Sequence, residues 1–208
     1  MKIEEFFDAI YCINLDERTD RWETAQKEFQ KLGITNAQRF SAVKHDKGAL
    51  GCRESHIGVV TDAKKNGYKN ILVFEDDLMV IGEDIARIET ALDELGTLDW
   101  DMFYFGATVM LGHGKCTPVT PNIVRTNFAY TTHAYGMDSN VFDLVIEQAP
   151  FHPIIDVFYQ NFLTQRRDKS FIINPMLCIQ QPSYSDIEKT HVDYSWMTRF
   201  FNQALTKK

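Results

Sequence analysis

The sequence predicts an α/β fold in which one central, mostly parallel, Rossmann-like sheet is covered by helices on both faces. Three observations lead there. Short apolar runs alternate with segments of helical periodicity, several helical segments close on glycine, and polar clusters fall where apolar runs end. With 208 residues, 44% of them hydrophobic, the chain holds enough apolar material for one well-packed core, and residues 1–208 are read as a single domain.

The first strand lies in "FFDAIYCINLD", centred on Ala9 to Leu15. A helix follows, on which Trp22, Ala25, Phe29 and Leu32 recur at helical spacing before Gly33 stops it; Asp20 with Glu23 resembles a capping box, with Asp in place of Ser or Thr. "AQRFSAV" is a short second strand, residues 49–66 a second helix, and "NILVFEDD" the third strand. Ile85, Ile88, Leu92 and Leu95 form the apolar stripe of a third helix ended by Gly96. "DMFYFGA" is another strand, "HGKCTPVTPN" a loop or irregular hairpin, and "NFAYTTHAYGMD" strand material. Helical stretches near 139–149 and 156–166, a late strand in "SFIINPMLCIQ" and an amphipathic helix in "YSWMTRFFNQAL" complete the chain.

A net charge of −7 makes nucleic acid a poor partner, because affinity for its backbone comes from clustered Lys and Arg. Cys12, Cys52, Cys116 and Cys178 lie far apart without a C-x-x-C pair, which suits neither a zinc knuckle nor a disulfide framework and points to free thiols in a reducing compartment. No apolar run is long enough for a transmembrane segment and no leader pattern opens the chain, so a soluble, cytoplasmic protein is expected.

Three clusters carry the chemistry. In "NILVFEDDLMV" the acids Glu75, Asp76 and Asp77 follow four apolar residues and precede three more, whereas a solvated turn seldom has apolar sequence on both sides. Clustered carboxylates at the end of a strand suit a hard divalent cation, and in open α/β sheets ligands sit beyond the carboxyl ends of strands. "INLDERTDRW" puts Arg18 and Arg21 at a helix head just past a strand end, a suitable anion site or a set of surface ion pairs. In "GALGCRESHIGVV", Ser55 and His56 sit one turn inside a helix. Adjacent helical residues point about a quarter-turn apart and no G-x-S-x-G elbow is present, so packing and local hydrogen bonding are the plainer roles for this pair.

In order, "INLDERTDRW", "GALGCRESH", "NILVFEDDLMV" and "WDMFYFGA" resemble glycosyltransferase family 25, which includes bacterial lipopolysaccharide galactosyltransferases and collagen-modifying galactosyltransferases. "THAYGMDS", "HPIIDVFY" and "IQQPSYSDI" extend the resemblance over residues 8–188. Ala49 stands where the family has an acid in its "G-E-hydrophobic-G-C" turn, and Arg53 and Glu54 replace small and apolar residues; these departures bear on substrate identity more than on donor chemistry.

The resemblance implies a GT-A-like three-layer α/β/α sandwich and transfer of galactose or glucose from a UDP-sugar donor to a glycan or glycoprotein acceptor, with inversion. It implies a Mn²⁺ (or Mg²⁺) cofactor held by Asp77, with Asp76 or Glu75 reaching metal-bound water or the donor. His191 is the candidate that completes the metal shell, with His133 second. Asp156 takes the place of the base for the acceptor hydroxyl, and Asp186 is the alternative. Asn14, Leu15, Arg18 and Ser55 line the nucleotide-sugar pocket beside Glu75 and Asp76. Two rivals stand beside this reading: a noncatalytic binding module that kept the fold, and nucleotidyl transfer, which would release pyrophosphate in place of UDP.

Overall fold

In the computed structural model, which describes residues 1–82, 84–109, 115–185 and 190–206, the uninterrupted apolar run of the N-terminal region forms β1 (Ala9–Asn14) after a single turn, α1 (Ile3–Phe6). All six β1 residues are buried, as expected of a strand covered on both faces. In α2 (Thr19–Lys31), Ala25 and Phe29 are buried toward the sheet, and Gly33 closes the helix at φ +69°, a conformation that favours glycine. The expected capping box does not form. The helix starts at Thr19, which puts Asp20 inside its first turn, where its carboxylate accepts two hydrogen bonds from the Arg18 guanidinium.

β2 (Gln38–Ser41), α3 (Gly48–Lys65), β3 (Asn70–Glu75) and β4 (Leu78–Val80) follow, then α4 (Ile85–Leu95), whose first turn is capped by Asp84 accepting from the Arg87 N–H. After β5 (Met102–Tyr104), β6 (Cys116–Pro118) and β7 (Ile123–Thr126) pair as a hairpin, and β8 (Ala134–Asp138) occupies only the second half of its expected segment. Thr131, at φ +74°, breaks the extended backbone just before it. α5 (Phe142–Gln148) precedes α6 (Ile155–Phe158), which runs through a π-helical turn (Tyr159–Thr164) into α7 (Gln165–Arg167). The late strand divides into β9 (Ser170–Ile173) and β10 (Cys178–Gln180), parted by Pro175, which has no N–H for a ladder. The ribbon β11 (Ser183–Ser185) with β12 (Thr190–Val192) and the helix α8 (Trp196–Thr206) end the described chain.

The main sheet has the order β2-β1-β3-β8-β5-β9-β7-β6. Six of its eight strands run one way and only β8 and β7 are reversed. β4 and β10 form a separate antiparallel pair beyond the end of β3. Each face of the sheet has its own core. Ile71 and Val73 of β3 point to the core under α3, α5, α6 and α8, whereas Leu72 and Phe74 point to the core under α1, α2 and α4. The result is the three-layer α/β/α sandwich expected. Among the described residues no helix is long and apolar enough to cross a membrane, and all four thiols are free, with Cys12 and Cys178 buried.

Phe74 is completely buried, with its ring 5.2 Å from that of Phe29 and 6.2 Å from that of Phe105. Phe74→Ala should therefore lower the stability of the protein by about 3–5 kcal/mol, the usual cost of removing a core phenylalanine. Urea unfolding followed by circular dichroism measures it.

Candidate active site

The alternation of side chains along β3 sends its last residue, Glu75, toward α3, and the next residue, Asp76, toward α2. Each meets partners there. Glu75 Oε1 accepts from Thr132 Oγ1 and lies 3.3 Å from Nε2 of the buried His56. Burial opposes ionisation of Glu75, but the His56 and Thr132 hydrogen bonds and the His56 charge outweigh it, and the carboxyl is held below its ordinary range. Asp76 accepts from Asn14 Nδ2 at 2.5 Å and from Arg21 Nη1 at 3.1 Å. Its burial still prevails over these partners and raises its pKa.

Asp77 has no such support. Its Oδ2 has only a long contact, 3.5 Å, with Gln180 Nε2, and its Oδ1 is buried without a hydrogen-bond partner among the described residues. Burial first, then the charges of Glu75 and Asp76, push its carboxyl up to about 7. A buried carboxylate oxygen without a donor, beside two more acids, fits a hard divalent cation.

These acids lie in a cleft of about 690 Å³ at the carboxyl ends of β1 and β3. The β1–α2 junction contributes Asn14, Leu15, Arg18 and Arg21 to its wall; the β2–α3 loop and α3 contribute Lys44, His45, Ala49, Cys52, Ser55 and His56. Thr131, Thr132, Asp156, Gln180, Tyr194 and Trp196 complete the lining. Asn14 is 1% exposed and uses its whole amide: Nδ2 also donates to the Arg18 carbonyl, and Oδ1 accepts from Arg39 Nε. The Ser55 hydroxyl donates to the Gly51 carbonyl and accepts from the Val43 N–H, so it holds the β2–α3 loop against the helix. That approach depends on Gly51, where a Cβ would stand 2.5 Å from the Val43 carbonyl.

Asp156 lies in the first turn of α6, where its Oδ1 accepts from the Val157 N–H at 2.7 Å. Burial raises its pKa against the Val157 and Thr131 N–H groups. The cleft thus brings together Asn14, Leu15, Arg18, Ser55, Glu75, Asp76, Asp77 and Asp156. His191 is exposed on β12 and is not among the lining residues; His133 is fully buried outside the cleft wall, with Nε2 3.3 Å from the Cys178 carbonyl. Asp186 lies outside the described residues. The sequence does not single out Thr132, Cys52, Tyr194 or Trp196, although Cys52 falls within "GALGCRESH", Thr132 opens "THAYGMDS" and Tyr194 and Trp196 are two residues apart. Gln180 falls within "IQQPSYSDI" and had that much signal.

No family model matches the chain. It is 24% identical over 82% of its length to procollagen galactosyltransferase 1 of Danio rerio, 26% identical over 63% to inactive glycosyltransferase 25 family member 3 of Homo sapiens, and 30% identical over 62% to putative glycosyltransferase R655 of Acanthamoeba polyphaga mimivirus. These alignments cover 36%, 27% and 45% of the respective relatives, so the chain spans less than half the length of each. A solved glycosyltransferase involved in the glycosylation of the major capsid of PBCV-1 shares the fold, with a TM-score of 0.51 at 11% identity over 79% of each chain. The resemblance to glycosyltransferase family 25 read from the motifs is borne out by these relatives.

The electrostatics of Asp77 have a measurable consequence without any cation. Its carboxyl takes up a proton near pH 7 in the folded protein but near pH 4 when unfolded. The folded state therefore binds more protons between those values, and this group's contribution to stability is lost as pH rises through about 7. In chelator, Asp77→Asn should raise stability at pH 8 on the order of a few kcal/mol and change it little at pH 4. Chemical denaturation at both values checks this; a variant less stable than the parent at pH 8 contradicts it.

Proposed function

We propose that this chain is a metal-dependent, inverting glycosyltransferase that moves galactose or glucose from a UDP-sugar to a hydroxyl of a glycan or glycoprotein acceptor. The observation that carries this reading is the unpartnered Asp77 oxygen beside Glu75 and Asp76 in a cleft that also holds Asp156. The similarity to galactosyltransferases supports the class of reaction.

Asp77 would hold Mn²⁺ (or Mg²⁺), with Asp76 kept in place by Asn14 and Arg21; His191, outside the cleft lining, could complete the shell only if β12 moved toward it. When bound, the ion supplies neutralising charge and Lewis acidity for the departing diphosphate. The chain's own residues do the rest. Arg18, Arg21 and Lys44 line the cleft, paired with Asp20, Asp76 and Glu17, and would turn part of their charge toward a bound diphosphate. Asn14 and the Leu15 main chain shape the nucleotide pocket, and Glu75 faces the sugar. Asp156, its basicity raised by burial, takes the proton of the acceptor hydroxyl on the face opposite the leaving group, with Asp186 as the alternative base. Tyr194 and Trp196 offer rings on which an acceptor sugar can stack.

A noncatalytic module is the rival reading, favoured by one observation: a relative 26% identical to this chain carries the name inactive. A panel of UDP-sugars assayed for UDP release, with Mn²⁺ and with chelator, separates the two. Release of UDP from one donor only with the metal, abolished in Asp77→Ala, is the expected result; release of pyrophosphate in its place would mean nucleotidyl transfer, and no release from any donor would favour the rival.

Asp156→Asn should lower turnover by about 10²–10⁴-fold, the usual contribution of a general base. Donor binding, followed by UDP-dependent thermal stabilisation, should be preserved. Full activity in this variant would move the base to another residue.

A further inference from the structure

Beside the all-oxygen cluster lies a second group of ligand atoms with a different chemistry. Cys52 and His56 are four residues apart on α3, so their side chains leave the same face of the helix. One ligand atom each from Cys52, His56 and Glu75 lie within 4.8 Å of one another. We propose that these three residues form a separate site for a borderline-soft divalent cation such as Zn²⁺, and that filling it inhibits the protein because it takes Glu75 away from the donor. The inhibitory half rests on the function proposed above; the site itself does not.

Four features support the site. His56 Nε2 and Glu75 Oε1 are 3.3 Å apart, which is the edge of a tetrahedron whose bonds to the ion are about 2.0–2.1 Å. The other ring nitrogen of His56, Nδ1, lies 2.8 Å from the Tyr135 hydroxyl, itself 3.2 Å from that of Tyr159. Such a partner fixes the ring, and when the Tyr135 oxygen accepts from Nδ1–H the Nε2 lone pair is left for the ion. Glu75 is held in turn by Thr132 Oγ1. Finally, all three residues line the cleft, so the ion's fourth position opens toward water or a bound ligand.

The donor set decides the ion. A thiolate and an imidazole favour Zn²⁺ or Co²⁺ over Mn²⁺ and Mg²⁺, whereas the carboxylates of Asp76 and Asp77 have the opposite preference. On binding, the S–H bond of Cys52 breaks, a sulfur–metal bond forms from its electron pair, and the proton passes to solvent. Both Nε2 of His56 and the Glu75 carboxylate bind the ion through lone pairs, so any proton on Nε2 also passes to solvent.

Co²⁺ added to the full chain is the direct test, because a thiolate ligand gives a sulfur-to-cobalt charge-transfer band in the near ultraviolet. One equivalent should produce the band, excess Mg²⁺ should leave it, and Zn²⁺ should erase it. Cys52→Ser should lose the band and weaken Zn²⁺ binding by at least about 10–100-fold, the loss expected even from an outer-shell partner; Cys116→Ser should keep both. Far-ultraviolet circular dichroism shows that each variant is folded. His56 is buried and its replacement risks misfolding, so Cys52→Ser carries the test. Absence of the band in the parent, or its persistence in Cys52→Ser, overturns the site. If the band forms but Zn²⁺ leaves UDP release unchanged, the shared role of Glu75 is overturned. If no donor releases UDP at all, the function fails while the cobalt spectrum still stands on its own.

Discussion

Three carboxylates follow directly on four side chains that are wholly removed from water, and the cost of placing that charge there governs the architecture around them. Ionised acids so close together repel one another and lack the solvent that would screen them. Two of the three are relieved from opposite sides of the sheet: Glu75 by His56 and Thr132, Asp76 by Asn14 and Arg21. The third, Asp77, keeps a buried oxygen without a donor. Such an arrangement is unfavourable by itself, and a bound cation would relieve it.

The positions of the flanking elements follow from that need. In the parallel register of β1 and β3, Ile13 stands opposite Glu75, which brings Asn14 alongside Asp76. α2 then starts within four residues, close enough for Arg21 to reach the same carboxylate. On the other face α3 packs Val59, Val60 and Ala63 into the core, and one turn earlier the same helix delivers His56 to Glu75. The Ser55 hydroxyl, bridging Gly51 and Val43, ties down the loop that forms the cleft wall above them. Packing and site are thus specified by the same helices at successive turns.

Much of this was legible in the sequence. Uninterrupted apolar runs identify β1 and β3, 3.6-residue stripes identify α2 and α4, and the clustering of Glu75, Asp76 and Asp77 marks the strand end at which the cleft opens. What sequence reading missed has physical reasons. The spacing of Asp20 to Glu23 imitates a cap, whereas the Arg18 guanidinium, which no spacing rule includes, claims the carboxylate. The late apolar run reads as one strand because hydrophobicity does not register the missing N–H of Pro175. His56 was assigned to packing because neighbours in sequence say nothing of Glu75, nineteen positions later and brought near only by the α3–β3 crossover. Thr132, Gln180 and the Tyr194–Trp196 pair meet only in three dimensions.

The two walls of the cleft differ in chemistry, and the difference has a direction. On the α2 side Arg18 and Arg21 bring positive charge, together with Lys44 from the neighbouring loop; on the far side Ile154, Ile155, Tyr194 and Trp196 bring apolar and aromatic surface around Asp156. A nucleoside diphosphate and a sugar hydroxyl make these same opposite demands, one for cations and one for rings and a base. Inversion requires that the attacking oxygen and the departing one lie on opposite faces of the transferred sugar. Under the function proposed above, Arg18, Arg21 and Lys44 would meet the departing phosphate and Asp156 the attacking hydroxyl. The departures at Ala49, Arg53 and Glu54 all lie in the first turns of α3, and of these Ala49 is in the cleft wall. Under the proposed function, selectivity of this chain among sugars would be set at that helix, next to the cluster of Cys52 and His56.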